Sequence, residues 1–226
     1  MRVVLIQAGG VGNRVGADMP KQFIKVNEKP IIAYTLEKFQ RNNYVDDIWI
    51  VYLANWKEEL IEICNRYHIS KLKGIVEGGK TIFQSTKKGL DYMPYTDNPL
   101  VMIHEAVRPL ITDTMISDSF ITAEKYGNAV ASTKVVDEVG VIDGNAVNSL
   151  TFSSNLYTIQ NPHTFHLDQL RWAYKEREDI GTQGTAVLMY KLGVSLYHSQ
   201  GHPDCFKITY KEDIARFKAL LSNYNL

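Results

Sequence analysis

Short apolar runs alternate along the chain with segments that have the spacing of amphipathic helices. The runs that are typical of buried strands are Val3–Ile6, Ile48–Leu53, Gly74–Val76, Leu100–His104, Ala129–Val136 and Val194–Ser199. Most of them are continuously apolar rather than alternating, which indicates strands covered on both faces, as in a mostly parallel sheet. The pattern therefore predicts an α/β sandwich with right-handed crossovers and a mostly parallel central sheet.

Apolar residues recur at helical spacing in the connecting segments. The first helix is expected to begin at Pro30, because proline suits the first helical position. A second helix is expected over Trp56–Tyr67, and a third near the end of the chain. The stripe residues of the first and last of these helices are Ile32, Leu36 and Phe39, and Ile214, Phe217 and Leu221.

The region from about Thr133 to Asn161 breaks this rhythm. It has no helical period, and β-capable runs flank Asp143-Gly144-Asn145, which is typical of a hairpin turn. A hairpin without a buried face of its own must lie on another surface. We expect a protruding β-arm at about 133–161 that packs on a second subunit of a homodimer; an arm folded on its own domain is the alternative. The whole chain, residues 1–226, is expected to form a single domain that includes this arm.

Composition excludes several classes of protein. The 226 residues carry 25 Lys+Arg and 25 Asp+Glu, and this neutral balance argues against a protein that coats nucleic acid. No stretch approaches the roughly 20 apolar residues that cross a bilayer, so no membrane partner is expected. Cys64 and Cys205 are too few for a disulfide framework. A cytoplasmic protein is expected.

The first strand runs into a glycine-rich loop that contains two cations. Glycines after a buried strand let the backbone approach a phosphate closely. The dinucleotide fingerprint fails, because the glycines of Gly10–Gly16 are wrongly spaced and no acidic residue follows Leu53; a Walker loop fails as well. Arg14 and Lys21 would suit a triphosphate, since a neutral protein must meet that charge with local cations. A solvated loop with incidental cations is the alternative.

Motifs in order along nearly the whole chain resemble those of the polyol-phosphate cytidylyltransferases. This family includes the 2-C-methyl-D-erythritol 4-phosphate and the ribitol-5-phosphate cytidylyltransferases. The resemblance implies a Rossmann-like three-layer sandwich with a protruding β-arm, and attack of a polyol phosphate on the α-phosphorus of CTP with release of pyrophosphate. The matching segments are Ala8-Gly9-Gly10-x-Gly12-x-Arg14, Pro20-Lys21-Gln22, Gly78-Gly79-Lys80-Thr81 with Ser85, His104-Glu105-Ala106-Val107-Arg108-Pro109, Val136-Asp137-Glu138-Val139, Gln160-Asn161-Pro162-His163-x-Phe165 and Phe206-Lys207-Ile208-Thr209.

The resemblance also implies a role for each matched residue. The catalytic cations, which would bind the triphosphate and stabilise charge at phosphorus, are Arg14, Lys21 and Lys207. The residues expected around CTP are Ala8, Gly9, Gly10, Gly12, Gly79, Lys80 and Ser85. Those expected on the acceptor side are Arg108, Asp137, Asn161 and Thr182. Glu105 stands where the family usually has aspartate and is expected to bind a catalytic Mg²⁺, with a structural role at the strand end as the alternative.

Departures from the family pattern fall on the acceptor side. Ser153 stands where both subfamilies carry an arginine in the arm, and Gln183 replaces an aspartate. We therefore expect an acceptor other than 2-C-methyl-D-erythritol 4-phosphate, namely a ribitol-5-phosphate-like or glycerol-phosphate-like alditol phosphate, for a surface polymer such as capsule or teichoic acid. The isoprenoid-pathway enzyme itself and a non-catalytic nucleotide-binding relative stay open, whereas the glycine spacing disfavours a nicotinamide dehydrogenase.

Overall fold

The computed structural model describes residues 1–10, 16, 19–151, 153–176 and 184–223. Strands and helices alternate over most of this length. The strands are β1 (Arg2–Ala8), β2 (Lys25–Val26), β3 (Lys29–Pro30), β4 (Asp47–Tyr52), β5 (Leu72–Glu77), β6 (Leu100–Glu105), β7 (Asn128–Lys134), β8 (Val139–Asp143), β9 (Ala146–Thr151), β10 (Tyr157–His166) and β11 (His198–Gln200). The helices are α1 (Ile31–Arg41), α2 (Lys57–Arg66), α3 (Ile82–Tyr92), α4 (Asp113–Tyr126), α5 (Leu167–Glu176), α6 (Thr185–Lys191) and α7 (Lys211–Leu220).

The central sheet is mostly parallel and has the strand order β11-β7-β10-β6-β1-β4-β5. β1 pairs in parallel with β4 and β6, and β4 pairs in parallel with β5. β10 runs antiparallel to both of its neighbours, β6 and β7. The predicted fold class is therefore confirmed. The parallel strands end at one common edge, where an α/β sheet commonly binds its ligand.

Helices cover the sheet on both faces. Successive residues of β1 belong to different cores, since Val4 and Ile6 pack with α1, α2 and α4 while Val3 and Leu5 pack with α3, α5 and α6. A third cluster joins α7 to α1 through Tyr34 and Phe217, whose rings meet edge to face at 5.1 Å. Both faces of β1, β4 and β6 are buried, which explains their continuous apolar runs.

Some boundaries differ from the sequence prediction. Pro30 is the N-cap residue of α1 rather than its first helical residue. The last strand covers only His198–Gln200, because the preceding residues form an irregular approach to it. β10 was not predicted from the sequence, because its outer half is exposed whereas its inner half is buried. Its register also shifts between Ile159 and His163, where the Asn161–Pro162 peptide bond is cis.

The predicted hairpin is present. β8 and β9 form a separate two-stranded sheet, and every residue of both strands is exposed. β7 and β10 continue toward this hairpin from the central sheet, with Tyr157 opposite Lys134. β8, β9 and the outer ends of β7 and β10 thus form a β-arm that protrudes from the sandwich. Among all the residues that the structure describes, no helix has the length and apolar character needed to span a membrane.

Candidate functional site

A cleft of about 490 Å³ opens where the parallel strands end. Its lining comes from the carboxyl ends of β1, β4 and β5 and from the beginning of α3. The lining residues are Gly9, Tyr52, Leu53, Ala54, Glu77, Gly78, Gly79, Lys80, Gln84 and Lys88. The volume lies in the range of small-molecule sites.

Side chains of α3 fix the second glycine segment beside this cleft. The Ser85 hydroxyl accepts from the Gly79 backbone amide at 3.0 Å, and the side-chain oxygen Oε1 of Gln84 accepts from the Lys80 backbone amide at 3.0 Å. Thr81 caps α3 by accepting from the Gln84 amide at 3.1 Å. A Cβ atom on Gly79 would lie 2.5 Å from Cβ of Gln84, so only glycine fits there. The segment is therefore held rigidly against the helix that follows it.

Gln22 holds the first glycine segment in a similar way. Its side-chain amide donates to the carbonyl oxygens of Ala8 at 2.7 Å and Gly10 at 3.0 Å. A Cβ atom on Gly9 would lie 3.5 Å from the Ser85 hydroxyl, so the two glycine segments meet at the cleft. Ala8 is buried within β1 and supports the wall rather than lining it.

Lys21 and Lys207, far apart in sequence, belong to segments that touch. Lys21 is only 7% exposed, and its ammonium group donates to the Ile208 carbonyl at 2.7 Å. The Ile208 amide donates in turn to the Val107 carbonyl at 2.9 Å. The segments that carry the two predicted catalytic lysines thus meet at the turn that follows β6.

Glu105, the last residue of β6, forms the centre of an ion-pair cluster. Arg108 donates to one carboxylate oxygen at 2.6 Å, and Lys207 forms an ion pair with the other. Burial by itself would raise the pKa of Glu105, but Arg108 and Lys207 outweigh it and lower the pKa to about 2. Arg108 also donates to the Cys205 carbonyl at 2.8 Å. Glu105 is therefore an ionised carboxylate that holds Lys207 at the edge of the sheet.

Two buried histidines support this cluster in the neutral state. Burial is the main reason why the pKa of His104 falls to about 3 and that of His163 to about 4. His104 Nε2 lies 3.2 Å from the Arg108 carbonyl. Among the described residues, no group of three or more His, Cys, Asp or Glu side chains could hold a metal ion. The histidines are thus part of the packing behind the cluster.

The remaining predicted site residues have different outcomes. Arg14, Gly12 and Thr182 lie outside the described residues. Asn161 is buried, and its side-chain oxygen has no hydrogen-bond partner. Asp137 is exposed between β7 and β8, at the start of the arm. Their predicted contacts with substrates remain predictions.

Several cleft residues were missed by sequence reasoning. Tyr52 and Glu77 end β4 and β5, and Gln84 and Lys88 face the cleft from α3. Lys88 donates to the Gly78 carbonyl at 3.0 Å. The positions of Tyr52 and Glu77 at the carboxyl ends of predicted strands were a usable signal, because ligands bind at that edge.

The fold and the cleft define a class: an α/β protein with a cleft of ligand size at the carboxyl edge of a mostly parallel sheet. The family model of the 2-C-methyl-D-erythritol 4-phosphate cytidylyltransferases (IspD) matches residues 2–223. The chain belongs to this family of cytidylyltransferases, which are enzymes that use CTP.

Curated relatives of both kinds match nearly the whole chain. The ribitol-5-phosphate cytidylyltransferase of Lacticaseibacillus paracasei is 31% identical, and the alignment covers 100% of both chains. The 2-C-methyl-D-erythritol 4-phosphate cytidylyltransferase of Halalkalibacterium halodurans is 36% identical over 97% of this chain and 96% of its own. Among solved structures, 4-diphosphocytidyl-2C-methyl-D-erythritol synthase from Anaerococcus prevotii has a TM-score of 0.84 at 22% identity and covers 98% of each chain. This last likeness concerns the fold.

Proposed function

We propose that the protein transfers CMP from CTP to an alditol phosphate, ribitol 5-phosphate or a close analogue, to give a CDP-alditol and pyrophosphate. The observation that carries this proposal is the match of the chain from end to end with a ribitol-5-phosphate cytidylyltransferase. We propose a cytoplasmic reaction whose product supplies a surface polymer such as capsule or teichoic acid. A glycerol-phosphate-like acceptor belongs to the same proposal.

In this proposal the reaction needs alignment and charge neutralisation rather than a covalent intermediate, because a phosphate nucleophile is already ionised. The cleft between the two glycine segments would hold the cytosine and ribose of CTP. Lys21 and Arg14 would bind the triphosphate from the glycine loop, and Lys207 would reach the reacting phosphates from the opposite side. Lys207 is pre-positioned for this by its ion pair with Glu105.

The chemistry of Glu105 fits a Mg²⁺ that takes most of its ligands from the nucleotide. Mg²⁺ is usually held by one or two carboxylates together with substrate phosphates. Glu105 is ionised, and each of its oxygens keeps a lone pair beside the cation that it already accepts from. A bound Mg²⁺ would neutralise charge on the phosphates. We propose Glu105 as the residue that would contact it.

We further propose a homodimer formed through the arm. The arm presents large apolar side chains to solvent, and a lone two-stranded hairpin is marginally stable in water. A second copy of the arm would cover the apolar side chains and would also stabilise the hairpin. The apolar arm residues that are more than half exposed are Val136, Val141, Ile142, Val147, Leu150 and Ile159.

A second candidate acceptor is 2-C-methyl-D-erythritol 4-phosphate. The family model and the 36% identity of the Halalkalibacterium halodurans relative favour it. The replacement of the arm arginine by Ser153 does not decide between the two acceptors, because both subfamilies carry an arginine there and loss of an arginine–phosphate contact costs about 2 kcal/mol or more with either one.

Pyrophosphate release separates these acceptors. The protein is incubated with CTP and Mg²⁺, and ribitol 5-phosphate, glycerol 3-phosphate and 2-C-methyl-D-erythritol 4-phosphate are supplied one at a time. We expect kcat/KM to be at least about tenfold higher with an alditol phosphate than with the methylerythritol phosphate, which corresponds to about 1.4 kcal/mol. The reverse order would assign the protein to the second candidate. Binding of CTP without turnover on any acceptor would indicate a non-catalytic relative.

A further inference from the structure

The strand that leads out of the arm also contacts the loop that carries Lys207. The first residues of β10 are exposed and pair with β7 alone, with Ile159 opposite Ser132. Its last residues, from His163 onward, pair with both β6 and β7 inside the sheet. The register shift between these halves contains Gln160 and Asn161. β10 is therefore continuous from the arm to the sheet.

The loop between β11 and α7, residues 201–210, has no regular secondary structure and carries Lys207. Its position depends on contacts from neighbouring elements. The Gly201 amide donates to the Ser132 carbonyl at 3.0 Å, and the His202 amide donates to the side-chain oxygen of Gln160 at 3.2 Å. A Cβ atom on Gly201 would lie 2.7 Å from that same Gln160 oxygen. The amide of Gln160 thus lies directly against the start of the loop.

Contact with β10 continues one residue further along. The Cys205 thiol lies 3.9 Å from the Asn161 carbonyl oxygen and is completely buried. Two residues after Cys205, the Lys207 side chain forms its ion pair with Glu105. Gln160 fixes the beginning of the loop, and Arg108 holds the Cys205 carbonyl just before Lys207. A flexible lysine side chain reaches a phosphate productively only if its backbone is held in place.

We propose that Gln160 is a positioning residue, which sets the loop of Lys207 on β10 and so links the base of the arm to the reacting phosphates. The inference rests on the proposed function, since it takes Lys207 to act on those phosphates. Gln160 itself is not expected to touch CTP or the acceptor. Its loss should therefore lower kcat and leave the KM for CTP nearly unchanged.

Matched variants at this position test the proposal. Gln160→Leu keeps the size of the side chain but removes the acceptor of the His202 amide, whereas Gln160→Glu keeps an acceptor oxygen. Gln200→Leu is the control, because Gln200 is exposed on the neighbouring edge strand. We expect Gln160→Leu to lower kcat about tenfold with a change in KM for CTP below about twofold, and Gln160→Glu to recover most of the rate. An unchanged kcat in Gln160→Leu would overturn the proposal.

A double-mutant cycle shows whether Gln160 acts through Lys207. In a Lys207→Ala background, Gln160→Leu should cause no further loss of kcat, because the group that it positions is gone. Losses that multiply would overturn the proposal.

Hydrogen exchange of peptides covering residues 200–209 gives a readout independent of turnover, and faster exchange in Gln160→Leu than in Gln200→Leu is expected. A wild-type protein that binds CTP but transfers no CMP would refute the proposed function, whereas an active wild type with unaltered exchange and kcat in Gln160→Leu would refute only this inference.

Discussion

Lys21 keeps a charged group almost completely out of water, at 7% exposure. Burial of an ammonium group is costly unless it is partnered, and Lys21 donates to the Ile208 carbonyl beside Lys207. We interpret this position as preparation for the triphosphate, where negative charge grows on the α-phosphoryl oxygens as the reaction proceeds. A cation placed there in advance stabilises the transition state more than the bound CTP.

Lys21→Ala should therefore lower kcat by about 10²–10³, which corresponds to roughly 3–4 kcal/mol, with a much smaller change in CTP affinity. Steady-state kinetics together with calorimetric titration of CTP measure the two effects separately. Lys25→Ala is the matched control, because Lys25 is an exposed lysine four positions further along the same segment. Weakened CTP binding with an unchanged kcat would mean that the loop only holds the nucleotide.

Glu105 is expected to contribute to the stability of the fold in a way that depends on pH. Its pKa is lowered from the ordinary 4.5 to about 2, so its stabilising effect is fully present above pH 4.5 and is lost as the pH falls through 2. Glu105→Gln leaves Arg108 and Lys207 without their shared partner. We expect the variant to lose about 3 kcal/mol of unfolding free energy at neutral pH, a typical cost of breaking a buried ion pair.

Denaturant unfolding of the wild type and Glu105→Gln over a series of pH values measures this difference. The gap between the two proteins should shrink as the pH falls from 4.5 toward 2. Glu124→Gln provides the control, since Glu124 pairs with Arg2 at 2.8 Å on the surface and should cost less than about 1 kcal/mol. A gap that does not depend on pH would contradict the assigned charge state of Glu105.

The arm is the element that buries the least of its own surface within one chain. All residues of β8 and β9 are exposed, and Leu150 is 64% exposed. Leu150→Asp should therefore leave the stability of the protomer nearly unchanged, within about 0.5 kcal/mol, but should prevent two arms from packing together. We expect light scattering to give about twice the 25.7 kDa chain mass for the wild type and the mass of one chain for the variant.

Ile121→Asp is the control for this experiment. Ile121 is an exposed isoleucine on α4, outside the arm, and its substitution should leave the dimer intact. If the wild type itself has the mass of one chain at micromolar concentration, the proposed dimer is refuted and the apolar surface of the arm needs another partner.

Across the molecule as a whole, sequence patterns predicted the strands that are buried along their full length. The strands β1, β4 and β6 are covered on both faces, so their continuous apolar runs reveal them. β10 escaped prediction, because it passes from an exposed arm through a register shift into the sheet and no single period describes it. Its contacts with neighbours, rather than its own side chains, make it a strand.

The candidate site divides in the same way. The first glycine segment and Lys21 were found because glycines after a buried strand allow close backbone approach and a triphosphate needs local cations, whereas the second glycine segment was found by its resemblance to the family motif. The ion pair of Lys207 with Glu105 joins residues 102 positions apart, and the contact of Gln160 with His202 depends on where the arm leaves the sheet. Such contacts follow from the tertiary fold and have no local signature in the sequence.

We infer that the cleft between the glycine segments selects CTP for nucleotidyl transfer. The most direct test is competition between CTP, UTP, ATP and GTP, with Mg²⁺ and the acceptor that gives the highest rate, followed by pyrophosphate release and by analysis of the product. We predict a preference for CTP of at least about tenfold in kcat/KM, or roughly 1.4 kcal/mol. The glycines of the cleft lining leave backbone amide and carbonyl groups beside the base, and such polar groups can distinguish cytosine from uracil. Equal turnover with UTP or ATP would show that the cleft does not select cytosine.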